Sequence, residues 1–138
     1  MPEILLAEDD PADVFLVREA LAEHHVSATL RVIPDGQEVL RLLSPESLAA
    51  CRNVALIILD LNLPRNDGIE ILERVRATHE LAGVPVVVLT SSDSPRDRMV
   101  ATKLGATRFL RKPSGLDQFL GLGAIFKDLL EQDNNAEN

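Results

Sequence analysis

Tryptophan and tyrosine are absent from this 138-residue chain, and phenylalanine occurs four times. The core must therefore be aliphatic, and a hydrophobic content of 46% allows one. Cysteine occurs once, at Cys51, so no intrachain disulfide can form and nothing demands an oxidising compartment. Cys51 reads as a small apolar residue, buried or half-buried. Basic residues are in deficit: 14 Lys and Arg against 22 Asp and Glu give a net charge of −8. Nucleic-acid binding depends on phosphate neutralisation by Lys and Arg, so this balance argues against nucleic acid, and equally against an anionic membrane surface. Long apolar runs are missing as well. Residues 54–59 form a run far too short to span a bilayer. Met1-Pro2-Glu3 lacks the basic segment that opens a signal peptide. The expectation is a soluble cytoplasmic protein with one domain over residues 1–131 and a polar tail at 132–138.

What is present is a rhythm. Short apolar runs at residues 4–7, 29–33, 54–59, 84–89 and 107–110 read as strands. The third and fourth are apolar without alternation, as expected of strands covered on both faces. Between them lie amphipathic stretches at 11–24, 38–43, 69–78, 94–104 and 116–130. Asp10 and Pro11 read as the N-cap and first residue of the first helix. Gly105 reads as the cap that closes the fourth. Residues 44–53 read as a loop or an extra helical turn. Five strand–helix units in series imply an α/β fold, a parallel sheet with helices on both faces.

Open parallel sheets bind ligands outside the carboxyl ends of their strands. The polar residues that stand out here sit at those ends: Glu8-Asp9 after the first strand, Asp60 after the third, Thr90-Ser91-Ser92 after the fourth and Lys112 after the fifth. The second strand ends in Pro34-Asp35-Gly36, an ordinary turn. These contributions fit the strand order 2-1-3-4-5, a flavodoxin-like (βα)5 three-layer sandwich. Clustered carboxylates repel unless a cation sits among them. Mg²⁺ suits such a set, because it prefers oxygen ligands and pairs carboxylates with phosphate oxygens. Lys112 could neutralise a phosphoryl oxygen and Thr90 could donate a hydroxyl hydrogen bond to it. A carboxylate can also attack phosphorus, and Asp60, central among the sites, is the best-placed nucleophile. Each piece alone has a bland explanation, such as acids favoured at a helix N-terminus. All of them together at strand ends of one small domain do not. His24, His25 and His79 fall near helix ends and stay outside the cluster.

These residues resemble a known family. Leu6-Ala7-Glu8-Asp9-Asp10, Leu59-Asp60-Leu61-Asn62-Leu63-Pro64 with Asp67-Gly68, Leu89-Thr90-Ser91-Ser92 and Phe109-Leu110-Arg111-Lys112-Pro113 together look like a receiver domain of bacterial two-component response regulators. The likeness covers nearly the whole chain. It implies that Asp60 accepts a phosphoryl group from a histidine kinase in a Mg²⁺-dependent step, with no enzymatic activity beyond self-phosphorylation and self-dephosphorylation. Asp9 and Asp60 would bind Mg²⁺ directly, Glu8 through water, and Asn62 through its backbone carbonyl. Thr90 and Lys112 would hold the phosphoryl group, with backbone N–H groups near Leu61 and Ser91. Thr90 and Phe109 would form the switch. Many relatives carry Tyr where Phe109 stands, and Phe has no hydroxyl to donate to a partner. Ser91 stands where a small apolar residue is common. The Lys112–Pro113 bond would be cis.

The resemblance also implies a stand-alone regulator acting through protein contacts or a phosphorelay. Asp9-Asp10-Pro11-Ala12-Asp13, Thr90-Ser91-Ser92 and the enlarged stretch at 44–53 look most like regulators paired with phytochrome-type histidine kinases. The expected partners are such a kinase and a downstream or phosphotransfer protein. On the last helix, Phe119, Leu122, Phe126, Leu129 and Leu130 share one stripe, while Leu116, Leu120 and Ile125 fall partly off it. The surplus fits either a broad core contact or a homodimer face made by helix four, strand five and helix five. Two other readings compete with a signalling switch. A metal-dependent phosphatase with a strand-end Asp nucleophile would want a second acid where Asn62 stands. A receiver-shaped binding module would not need Asp9, Asp60, Thr90 and Lys112 intact.

Overall fold

Five parallel strands form one sheet in the order β2-β1-β3-β4-β5: β1 (Glu3–Ala7), β2 (Thr29–Ile33), β3 (Val54–Leu59), β4 (Val86–Thr90) and β5 (Arg108–Arg111). The computed structural model describes residues 1–136, with side chains through residue 132. The connecting helices are α1 (Pro11–Glu23), α2 (Gly36–Leu42), α3 (Gly68–Ala77), α4 (Pro95–Lys103) and α5 (Leu116–Ala136). The strand order is the one expected from the polar strand ends.

Strand side chains alternate between faces, so each central strand feeds two cores. Ile4 and Leu6 of β1, Leu56 and Ile58 of β3, and Val87 and Leu89 of β4 pack with Val17 and Leu21 of α1 and with Phe119, Leu122 and Phe126 of α5. Leu5 and Ala7, Ile57 and Leu59, and Val86 and Val88 pack on the other side with Val39 of α2, Ile71 and Leu72 of α3, and Ala101 of α4. Every residue of β3 and β4 is buried, which is why neither run alternates. The edges carry charge instead. Arg31 of β2 pairs with Glu3 at 3.0 Å, and β5 exposes Arg108 and Arg111.

Side chains start the helices where sequence placed them, or close by. Asp10, Asp35, Asp67 and Ser94 each accept a hydrogen bond from a first-turn N–H. The Asp35 cap, bonded to the Glu38 N–H at 2.8 Å, brings the α2 start forward to Gly36. After α4, Gly105 at φ +100° lets Ala106 N–H reach back to the Ala101 carbonyl at 3.0 Å. Residues 44–53 contain a short 3-10 helix, Leu48–Cys51. Strand β4 starts at Val86, two residues later than expected, since Pro85 has no N–H for the ladder. Helix α5 runs on to Ala136, past the expected end at residue 130. The end of the expected polar tail, residues 137–138, lies outside the described residues.

One expectation is corrected. The Lys112–Pro113 bond is trans, and no described peptide bond is cis. Trans is the lower-energy isomer by about 0.5–1 kcal/mol even before proline. Lys112 N–H still pairs with the Thr90 carbonyl at 2.8 Å.

Candidate functional site

Backbone pairing continues one residue past the strands and so fixes the charged residues beyond them. Glu8 N–H donates to the Ile33 carbonyl at 3.1 Å, Asp60 N–H to the Ala7 carbonyl at 3.0 Å, and Lys112 N–H to the Thr90 carbonyl at 2.8 Å. Glu8 is 2% exposed, Asp60 5% and Thr90 0%, whereas Asp9 is exposed. Buried carboxylates at this depth survive only with partners.

Lys112 is the partner. Its Nζ lies 2.7 Å from Glu8 Oε1, 2.7 Å from Asp13 Oδ2 and 2.9 Å from Asp60 Oδ2. An ammonium group has three N–H donors, and three carboxylates from three parts of the chain take them. Burial alone would lower the Lys112 pKa, but the bonds to Asp13, Glu8 and Asp60 outweigh it and hold the amine protonated well above its ordinary range. Glu8 behaves oppositely. Burial pushes its carboxyl up to about 7 and the nearby Asp60 charge adds to the rise, against the pull of Lys112. Two backbone N–H groups, of Asp9 and Asp10, also donate to Glu8 Oε2, at 3.1 and 3.2 Å.

The acids exceed the base. Glu8, Asp9, Asp13 and Asp60 when ionised set four negative charges against the one positive charge of Lys112, a net −3. Carboxylate oxygens of Glu8, Asp9 and Asp60 lie within 4.8 Å of one another. This all-oxygen, over-negative set fits a hard divalent cation. Such an ion would relieve the repulsion from Asp60 that adds to the burial-driven rise of the Glu8 pKa.

Hydroxyl and amide groups of Thr90, Asn62 and Ser92 sit beside the charged cluster. Thr90 Oγ1 accepts from the Asn62 side-chain amide at 3.3 Å and from the Ser92 N–H at 3.3 Å, leaving its own hydroxyl proton to donate. Asn62 N–H donates to Asp60 Oδ1 at 2.9 Å. Ser92 in turn donates its hydroxyl to Asp97 Oδ2 at 2.7 Å, tying the loop after β4 to the first turn of α4. Ser91 is exposed on that loop. Phe109 does not join the charged cluster: its side chain is buried in the core beside α3 and α4, with the Arg98 guanidinium 4.9 Å above its ring. Pro113 lines a shallow cleft with Arg111, Lys112, Ser114 and Gln118. His24 lies far from all this in chain and role, its Nε2 3.1 Å from the Leu120 carbonyl oxygen.

Two participants were missed from sequence: Asp13, which holds Lys112 directly, and Asp97, which accepts from the Ser92 hydroxyl and so braces the Thr90 loop. A signal for Asp13 existed: it lies in the first turn of α1, on a helix that starts just after the Glu8-Asp9 pair. Size would not have found the site. A groove of about 970 Å³ lies elsewhere, lined by Leu43, Leu48, Cys51 and Ala77 near the amino end of β3.

The chain is similar to known proteins. Residues 4–122 match the response regulator receiver domain family. Response regulator Rcp1 of Synechocystis sp. is 35% identical over 114 residues, 82% of this chain and 78% of that protein. The regulatory protein VirG of Rhizobium rhizogenes is 35% identical over 87% of this chain, but the match spans only 46% of VirG. Among solved structures, the phosphorylated cyanobacterial phytochrome response regulator RcpA superposes with a TM-score of 0.84 at 32% identity, covering 94% of each chain. Rcp1 in its Mn²⁺-bound form gives 0.82 at 30% identity, over 93% of this chain and 96% of that one.

Proposed function

We propose, for a chain that belongs to the response regulator receiver domain family, that Asp60 is the residue that accepts a phosphoryl group. The observation that carries this is the position of Asp60, buried between the Glu8-Asp9 pair and Lys112, with its Oδ2 2.9 Å from Nζ. In the forward step a carboxylate oxygen of Asp60 forms a bond to phosphorus. The P–N bond of a phosphohistidine breaks, and the imidazole leaves with a proton from solvent. In a second, hydrolytic step water attacks phosphorus, the acyl–phosphate bond breaks, inorganic phosphate leaves and the Asp60 carboxylate returns. These two steps are the only chemistry the reading assigns.

Asp9 and Asp60 would ligate Mg²⁺ directly, Glu8 through a water and Asn62 through its carbonyl. Bound there, the ion supplies charge neutralisation for the phosphoryl oxygens. Lys112 donates N–H to one phosphoryl oxygen and the Thr90 hydroxyl to another. Backbone N–H groups of Leu61 and Ser91 complete the cradle. Drawing Thr90 inward loosens its bonds to Asn62 and Ser92, and the buried Phe109 ring repacks beside α4. The phosphoryl group thus shifts a two-state equilibrium. Phe109 has no hydroxyl to offer a partner, so recognition would depend on packing.

Two relatives name the input: RcpA is a phytochrome response regulator, and the regulator RPA3017 of R. palustris acts in red light signalling. A phytochrome-type histidine kinase in the cytoplasm is the donor this supports, with a downstream or phosphotransfer protein as receiver. In this reading the domain takes residues 1–131 and the tail 132–138 stays outside the switch. Incubation with Mg²⁺ and acetyl phosphate, followed by mass measurement, is the test. One added phosphoryl group, absent in Asp60→Asn, is expected. Rapid turnover of the donor with no adduct would replace this reading by a phosphatase. No adduct and no fluoroberyllate binding would replace it by a binding module.

A further inference from the structure

We propose that Asp13 is a positioning residue that competes with the phosphoryl group for Lys112. The inference rests on the role assigned to Asp60 above, and concerns how strongly the site holds what it receives. Its basis is the saturation of the ammonium group. Glu8, Asp13 and Asp60 take the three N–H donors at 2.7, 2.7 and 2.9 Å. Glu8 and Asp60 are already engaged otherwise: both belong to the oxygen cluster suited to a divalent cation. Asp13 does not belong to it. Its carboxylate reaches Lys112 from the first turn of α1, a different element from the strand ends, and its side chain is 19% exposed against 13% for Lys112.

The consequence follows from charge. A bound phosphoryl group is a dianion seeking the same ammonium. With Asp13 in place, Lys112 presents a positive charge that two neighbours besides Asp60 have largely matched. Removing the Asp13 charge frees an N–H for a phosphoryl oxygen and removes a repulsion of that anion. The same change acts in reverse on a cation. Lys112 then leans on Glu8 and Asp60 alone and competes harder for their oxygens, while the pocket loses one negative charge. Anion affinity should rise and cation affinity should fall. Damage to the fold would lower both. This opposition is the signature of the role.

The experiment uses the full chain with Asp13→Asn, an isosteric change, and Asp13→Glu, which restores the carboxylate. The chain has no Trp or Tyr to report by fluorescence, so binding is read by calorimetry. Mg²⁺ is titrated alone, and fluoroberyllate at saturating Mg²⁺. For Asp13→Asn we expect fluoroberyllate to bind about fivefold tighter or more, and Mg²⁺ to bind several-fold more weakly. Asp13→Glu should return both toward the unaltered protein, and both shifts should persist at high salt, since a direct ion pair between half-buried groups is little screened. Equal or weaker fluoroberyllate binding by Asp13→Asn overturns the proposal. So do shifts that vanish at high salt, which would be a diffuse field effect. If the unaltered protein itself binds no fluoroberyllate, the role of Asp60 fails first, and this one with it.

Discussion

A glutamate that is 2% exposed, with a carboxyl pushed to about 7 by burial, stores a pH dependence in the fold. The folded protein keeps a proton on Glu8 that the unfolded chain releases from about pH 4.5. Stability contributed this way is present at low pH and is lost as pH rises through 7, by up to about 3 kcal/mol at 1.36 kcal/mol per unit. A divalent cation favours the ionised carboxyl and removes the loss. Thermal unfolding followed by circular dichroism from pH 5 to 7.5 should therefore show a falling midpoint without Mg²⁺ and a flatter one with it. Equal slopes would mean that the cation does not reach Glu8. At this scale the sequence was legible where a residue type and a strand end coincide, as at Glu8, Asp60, Thr90 and Lys112. Asp13 was hidden because an acid in a first helical turn has an ordinary dipole explanation. The isomer of Lys112–Pro113 was hidden because spacing carries no information on it.

Among the elements, α1 and α5 approach closely where α5 has a glycine. A Cβ on Gly123 would collide with the Ala20 carbonyl oxygen and the His24 ring of the α1 end. Alanine improves intrinsic helix propensity by about 1 kcal/mol over glycine. Overpacking against backbone costs about 1–3 kcal/mol, and so it wins. Gly123→Ala should lower the urea midpoint with an unchanged slope, while Gly121→Ala, with nothing within 4 Å, should raise it. A raised midpoint for both would show that the two helices part freely. Strands β2 and β3 were readable to the residue, because an apolar run bounded by turn residues has one register. The 3-10 helix at Leu48–Cys51 was not, since four residues carry no period. Nor was the end of α5. Its polar continuation lacks an apolar stripe, and the helix is supported there by a Gln132–Asp128 side-chain bond of 2.9 Å.

For the molecule as a whole, the strand order was readable because 2-1-3-4-5 sets the four polar strand ends side by side around the switch point between β1 and β3, with the plain turn after β2 at the edge. Its association state is a matter of surface. The stripe of Phe119, Leu122, Phe126, Leu129 and Leu130 is buried as its spacing predicts, so it is core and not interface. What α4 and α5 leave outside is Met99, 53% exposed, and Leu116, 59% exposed. Two isolated apolar side chains on a chain of net charge −8 make a weak seam at most. Sedimentation should show monomer without a phosphoryl mimic and dimer only with fluoroberyllate, strengthening with salt. Monomer under both conditions would remove the α4-β5-α5 dimer from the account.

Lys112 closes its three ion pairs from just past the last strand of the sheet, while its partners come from just past the first strand, from the first helix and from just past the third strand. Nearly the full length of chain must be in place before the pocket exists. During synthesis, the acids emerge early and stay without their counter-ion until the final quarter of the polypeptide docks. A nascent or truncated chain should thus be deaf to its kinase, however well its first three strands pair. Uptake of phosphoryl from a small donor then doubles as an assay of completed folding, sensitive to errors at the far edge of the sheet.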